Sequence, residues 1–240
     1  MIDGSTSKTA SHITYGMTNG RYCMTLIREY VERADKALAC PDFCKGVTDY
    51  VRSHYPPELM PHLEHHPEDR LTASCIVYSN HRREIWMVGD CQCLVGGAYY
   101  DNPKPDEARI AAKRAEMAHR LLDSGKATVA QLRNVDTARL AIVKDLIKSM
   151  ENQNKTYAVV DGFDIPLNKV RIISLYNTAD EVVLATDGYP YLLPTLADSE
   201  TALKEQLDAD PLNIGAFKAT KGCMAGNNSF DDRTYIRFKQ

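Results

Sequence analysis

The spacing of apolar positions changes several times along the chain, and each change marks a new element. Tyr22, Leu26, Tyr30, Ala34 and Leu38 recur at helical spacing, with Cys23, Ile27 and Val31 widening the same face, which predicts a helix over 20–39. A second helix is predicted over 42–55, stopped by Pro56-Pro57. The Pro- and His-rich residues 58–70 read as a loop. A β-rich run over 72–80, the polar turn His81-Arg82-Arg83 and a second apolar run over 84–90 make a hairpin signal. A strand continues over 91–95, Gly96-Gly97 turns the chain, and a short strand at 98–100 ends at Asp101-Asn102-Pro103.

Helical patterns then return. Residues 105–122 start on a proline and have Gly125 just beyond their end. A further helical stretch is predicted over 128–150, with Leu140, Val143, Leu146, Ile147 and Met150 on its best face. Strands are predicted at 155–160, 169–175 and 181–186. A helix at 198–207, a glycine-rich loop at 222–229 and a last strand at 234–238 complete the chain. Strands and helices thus come in blocks. Parallel strands would need a crossover each time, so the pattern predicts an α+β fold with helices outside largely antiparallel sheets.

Composition narrows the class without changing the picture. The 240 residues suit one domain over 1–240, with 105–152 as a helical insert between two sheet-forming blocks, a plausible place for regulation. A net charge of -3 and no basic cluster beyond His81-Arg82-Arg83 argue against nucleic acid as a partner. No apolar run approaches the roughly 18 residues of a membrane span. The start Met1-Ile2-Asp3-Gly4-Ser5-Thr6-Ser7 lacks the basic and apolar regions of a signal peptide, so a cytoplasmic chain is expected. The seven cysteines form no CxxC pair and read as reduced thiols, with Cys91 and Cys93 as packing residues on one strand face. Trp86 reads as hairpin core, and the oligomeric state is open.

Candidate chemistry lies in acids at strand ends. Asp3 precedes Gly4, Asp90 follows Val88-Gly89, Asp187 ends an apolar run and precedes Gly188, and Asp231-Asp232 precede the last strand. A strand end is a rigid mount, and carboxylates brought together repel unless a cation neutralises them. Hard oxygen ligands suit Mg²⁺ or Mn²⁺, and two such ions about 4 Å apart can activate water against a phosphoryl group. Taken singly, each of these acids reads more simply as a turn or strand-end cap.

The order of the pieces adds a resemblance. Met1-Ile2-Asp3-Gly4-Ser5, the hairpin from Thr72 to Gly89-Asp90-Cys91-Gln92, Leu184-Ala185-Thr186-Asp187-Gly188 and Asp231-Asp232-Arg233-Thr234 resemble, in order, four motifs of the metal-dependent PP2C (PPM) protein serine/threonine phosphatases. The resemblance implies an αββα sandwich of two mostly antiparallel sheets flanked by helices, with two Mn²⁺ or Mg²⁺ ions in a cleft at one end. Asp3 would bridge the ions, Gly4 would offer its carbonyl, and Asp187 and Asp231 would bind the first ion. Asp90 with Asp187 would hold the third ion of bacterial members. The implied reaction is attack of a metal-bridging hydroxide on phosphoserine or phosphothreonine of a phosphoprotein, with Asp3, Asp187 and Asp231 as the catalytic set.

The family's segment ahead of the first motif, with its edge strands, phosphate-binding arginine and acidic residue, has no counterpart, so a shortened or misassigned start is expected. That motivates an alternative, a catalytically impaired binding or regulatory module. A third reading takes Asp3-Gly4-Ser5-Thr6-Ser7 as the phosphate loop of a sugar kinase, but such a loop is followed by a hairpin and here a helix is predicted. Lys8 and Arg21 are candidates for phosphate contact, with surface charge as the simpler reading. His12 and His54 are candidate general acids. His62, His65 and His66 have a spacing that can hold a metal, and exposed loop residues are the simpler reading.

Overall fold

A computed structural model describes residues 1–175 and 181–239. Two antiparallel four-stranded sheets form the centre. The strands are β1 Ile2–Gly4, β2 Ala73–Ser79, β3 Glu84–Val88, β4 Gln92–Val95, β5 Ala98–Tyr100, β6 Arg171–Ser174, β7 Glu181–Ala185 and β8 Tyr235–Lys239. The first sheet has the order β1-β2-β3-β6 and the second β5-β4-β7-β8. Alternation along the strands sorts the side chains into layers. Ile85 and Met87 of β3 join Ile76 and Ile173 against Cys93, Val182 and Leu184 of the second sheet. Trp86 and Val88, which alternate with them in sequence, face the other way with Cys75 and pack against helices. Burying each such side chain is worth about 1.5–3 kcal/mol, so a one-residue slip of β3 would exchange two complete sets of contacts.

The helices cover the outer faces. α1 Asn19–Arg33 and α2 Cys40–Arg52 cover the first sheet with Cys23, Leu26, Ile27, Phe43 and Val47. On the outer face of the second sheet, Leu94, Val183 and Ala185 are covered by Tyr189, Leu192 and Tyr235. Tyr189 Oη donates to Glu200 Oε1 of α8 Leu196–Ala209 at 2.7 Å, tying that helix to the sheet. The fold is therefore α+β, with a sheet sandwich inside helices, as expected. No helix among the described residues is long and apolar enough to cross a membrane.

Four expectations need correction. The first helix stops at Arg33: Ala34 turns to an extended ψ of 142° and the Asp35 carboxylate takes the Ala37 N–H, so Ala34 and Leu38 leave the helical face. Residues 58–70 hold α3 Met60–His65 between two 3-10 turns. The prolines that suggested a loop, Pro57, Pro61 and Pro67, sit in first or second helical positions, where a missing N–H is harmless.

The stretch 128–150 is three helices, α5 Val129–Asn134, α6 Thr137–Leu140 and α7 Val143–Met150, following α4 Glu107–Asp123. Internal caps break it: Thr128 and Gln131 form a capping box, and Asp136 accepts from Arg139 N. Leu140, placed on the buried face by periodicity, is 64% exposed, while Leu132, Ala138 and Ile142 are buried. Residues 155–160 make no strand. Their apolar run Tyr157–Val160 is buried, but only an isolated bridge from Val160 to Ala73 joins it to the sheet.

Candidate metal centre

Strand register brings the acids to one end of the sandwich. Asp3 pairs with Ser74, and Cys75 pairs with Val88, so Asp3 and Gly89-Asp90 share an end of the first sheet. Gln92 pairs with Ala185, and Ala185 with Tyr235, which sets Asp187 and Asp231 at the matching end of the second. The glycines are demanded by close backbone approach. A Cβ on Gly188 would stand 2.3 Å from the Asp232 carbonyl oxygen, and one on Gly4 would stand 2.7 Å from that of Gly20 in α1. Gly89, at φ +96°, turns the chain from one sheet into the other just before Asp90.

All five sequence candidates, Asp3, Gly4, Asp90, Asp187 and Asp231, line one cleft of about 130 Å³, room for several water molecules. The opposite wall comes from elsewhere in the chain. Lys104 and Glu107 enter at the start of α4, Arg139 from α6, Ser149 and Met150 from α7, and Lys221 from the loop before β8. Carboxylate oxygens of Asp90, Glu107 and Asp187 lie within 4.8 Å of one another.

Charge is unevenly satisfied. Asp90 is buried and fully engaged: Ser74 Oγ donates to Oδ1 at 2.6 Å and Lys104 Nζ to Oδ2 at 2.5 Å. Burial alone would raise its pKa, but Lys104 and Ser74 hold it below the usual carboxylate range. Asp231 is ion-paired with Lys221. Asp187 is the opposite case. Its Oδ1 is buried with no hydrogen-bond partner, and burial together with the Asp90 and Asp3 charges pushes it well above the ordinary carboxylate value. Burial raises Asp3 to about 6, even though a bond from Asp187 works against the rise. Burial also raises Glu107. Lys8, from the segment after β1, also lines the cleft; burial and the nearby Arg139 and Lys104 lower it to about 7.

These residues fit a bound cation. An orphaned carboxylate oxygen among four further carboxylates is costly unless a positive charge completes it. The donors are hard oxygens, the set that suits Mn²⁺ or Mg²⁺. Of the remaining candidates, Lys8 faces the cleft, whereas Arg21 and His12 are exposed elsewhere. His54 is held on α2 by the Tyr50 carbonyl at 2.8 Å. Lys104, Glu107, Arg139 and Lys221 were missed by sequence reasoning. Lys104 alone had a local signal, since it lies between Pro103 and Pro105, a rigid extended mount.

No protein-family model and no curated protein matches the chain. Among solved structures it is similar to the catalytic domain of the serine/threonine protein phosphatase PstP in complex with two manganese ions, at 15% identity and a TM-score of 0.34, over 78% of this chain and 70% of that one. It is also similar to the Mycobacterium tuberculosis serine/threonine phosphatase PstP/Ppp, at 16% identity and a TM-score of 0.37, over 85% of this chain and 78% of that one.

Proposed function

We propose that this chain is a divalent-metal-dependent phosphatase acting on phosphoserine and phosphothreonine, built as one domain over 1–240 with residues 105–152 as a wall of its cleft. The observation that carries the reading is the buried, unpartnered Oδ1 of Asp187 among the carboxylates of Asp3, Asp90 and Glu107. Asp3, Asp187 and Asp231, with the Gly4 carbonyl, are the groups that would hold two Mn²⁺ or Mg²⁺ ions, and Asp90 with Asp187 would hold a third. Bound there, such ions supply an activated water and neutralise phosphoryl oxygens.

The chain's own cations do the rest. Arg139 faces the cleft with its Nη1 fixed on the Thr220 carbonyl at 2.5 Å, which leaves other guanidinium N–H groups to receive phosphoryl oxygens. Burial and the neighbouring Arg139 and Lys104 disfavour the ammonium form of Lys8, and an arriving phosphoryl group would favour it.

The test is hydrolysis of p-nitrophenyl phosphate and of a phosphothreonine peptide with Mn²⁺ and with EDTA. Turnover that needs Mn²⁺ and disappears in Asp187→Asn supports the reading; equal turnover of the two proteins ends it. A second reading, a phosphopeptide-binding module without turnover, is favoured by one observation. Lys104 and Lys221 already neutralise Asp90 and Asp231, which leaves less charge for ions. Peptide binding without hydrolysis, by a folded chain that takes up fewer than two Mn²⁺, would decide for it.

A further inference from the structure

We infer that His62, His66 and Asp69 form a second metal site, for a zinc-like transition-metal ion that fastens the segment between β1 and α1 to the body of the protein. The site is remote in chemistry from the carboxylate cleft, and the inference does not rest on the phosphatase reading.

The correction of residues 58–70 from loop to helix creates the site. On α3 and its cap, His62 and His66 stand four positions apart on one face, with rings stacked at 4.3 Å between centroids and 17° between planes. The 3-10 turn Pro67–Asp69 then folds Asp69 back over them, so that His62 Nε2 is 2.8 Å from Asp69 Oδ2. One donor atom from each of the three residues lies within 4.8 Å of the others. Ligands about 2.0–2.1 Å from a tetrahedral ion stand about 3.3 Å apart, so small side-chain rotations complete the set. Both imidazoles are about half exposed, at 47% and 48%, whereas the Asp69 and Glu68 carboxylates behind them are at 14% and 13%. An ion would therefore enter from solvent and keep water as its fourth ligand.

Glu68 prepares His66 for this role. Its Oε1 is 3.0 Å from His66 Nδ1, and a proton held on that nitrogen leaves Nε2 as the ring's free lone pair for an ion. The other oxygen, Oε2, is buried with no partner. A carboxylate behind a ligating imidazole raises its basicity, and positive charge on the ring relieves the orphaned oxygen. Two imidazoles and one carboxylate favour Zn²⁺ over Mg²⁺ or Mn²⁺, the reverse of the cleft's preference.

The ligands also mark an anchor point. Asp69 Oδ1 accepts from Thr9 Oγ1 at 2.5 Å, and the Asp69 carbonyl accepts from Asn19 Nδ2 at 3.0 Å. Asn19 in turn bonds the Ser11 carbonyl and the Ile13 N–H. The same segment carries Ser5, Thr6 and Lys8 into the cleft. An ion on Asp69 would thus stiffen the support of one cleft wall from outside.

Zinc binding by the EDTA-treated full chain, in excess Mg²⁺ to fill the carboxylate cleft, tests the inference, with Co²⁺ absorption reporting the geometry. Wild type, Asp187→Asn and His65→Gln are expected to take one equivalent and to give a tetrahedral Co²⁺ spectrum. His62→Gln and His66→Gln should bind at least about tenfold more weakly. Zinc should slow proteolysis of residues 5–18 in wild type and not in the two histidine variants. Equal zinc affinity in wild type and both variants overturns the site, as does binding only near millimolar concentration. Loss of zinc in Asp187→Asn instead would place the ion in the cleft and overturn it too. Both histidines are half exposed, and melting of the metal-free variants checks directly that they fold as wild type does.

Discussion

Asp161 is fully buried and Asp187 half-buried with one buried oxygen, and burial raises the pKa of both, yet their surroundings are opposites. Asp161 receives Arg70 Nη1 at 3.0 Å, Gln153 Nε2 at 3.1 Å, Asn154 Nδ2 at 2.7 Å and Phe163 N at 2.9 Å. Arg70 is itself held over the Phe163 ring, 3.5 Å from its centroid, and on the Leu63 carbonyl. After burial, the largest influences on Asp161 stabilise its charge. After burial, the largest influences on Asp187 are the repelling carboxylates of Asp90 and Asp3, and one of its oxygens has no partner. The first group is finished by the protein and serves the fold. The second is left unfinished by the protein, which is what the proposed metal reading requires. Burial alone does not separate the two acids; satisfaction does.

Substituting each acid should break the pair apart in opposite directions. Asp187→Asn should largely remove Mn²⁺-dependent phosphate hydrolysis, a loss of about a hundred- to a thousandfold by the scale of removing one key electrostatic contact. Its metal-free stability should hold or rise, because one member of a repelling group is gone. Asp161→Ala should cost about 3–5 kcal/mol, since it strands Arg70 as an unpaired buried charge. Turnover per folded molecule should survive. Urea unfolding in EDTA, set beside p-nitrophenyl phosphate turnover, reads both. If Asp187→Asn proves the more destabilising of the two, the contrast drawn from satisfaction is wrong.

The same contrast explains what the sequence disclosed. Asp3-Gly4, Gly89-Asp90 and Asp187-Gly188 were legible because the reasons are local: a strand end, then a glycine where another backbone passes within van der Waals distance. The hairpins were legible because alternation and turn residues agree, and β2 and β3 pair in the expected register region from Cys75–Val88 to Ser79–Glu84. The far wall of the cleft was not. Glu107, Arg139 and Lys221 belong to segments that meet only after α4 and α6 pack together with Leu212 and Ile214, around the buried pair Arg114–Asp136. That meeting is a tertiary event with no sequence period. The run 128–150 failed for the converse reason: its capping signals at Thr128 and Asp136 were local and readable, but an apparent apolar face ran across them.

Lys104 sharpens the comparison from the other side, as a cation that finishes Asp90 without any ligand. Lys104→Met should reduce metal-free stability by about 2 kcal/mol, less than a fully buried pair would lose, because the lysine is 27% exposed. Added Mn²⁺ should restore most of that loss, and calorimetry should count more bound ions in the variant than in wild type. An unchanged ion count would mean that the lysine does not stand where an ion can.

The smallest effect concerns Asp3, and it carries a sign that is easy to invert. In metal-free protein, burial chiefly moves Asp3 from its ordinary 3.8 to about 6. Between those values the folded state keeps a proton that the unfolded state has released. The contribution of Asp3 to stability is therefore fully present below about pH 4 and is lost as pH rises through about 6. The shift corresponds to at most about 3 kcal/mol, and solvent reaching a half-buried group brings it to on the order of 1–2 kcal/mol. Asp187 and Glu107, raised in the same direction, add to the trend, and Asp90, lowered, opposes it. The difference between wild type and Asp3→Asn isolates the one group. In EDTA, wild type should lose stability relative to Asp3→Asn between pH 4.5 and pH 7. With saturating Mn²⁺ the sign should reverse, because protons and ions compete for the same oxygens and ion binding strengthens as pH rises. A wild-type advantage that grows with pH even in EDTA would mean that Asp3 is already satisfied within the folded chain, and would move it from the company of Asp187 to that of Asp161.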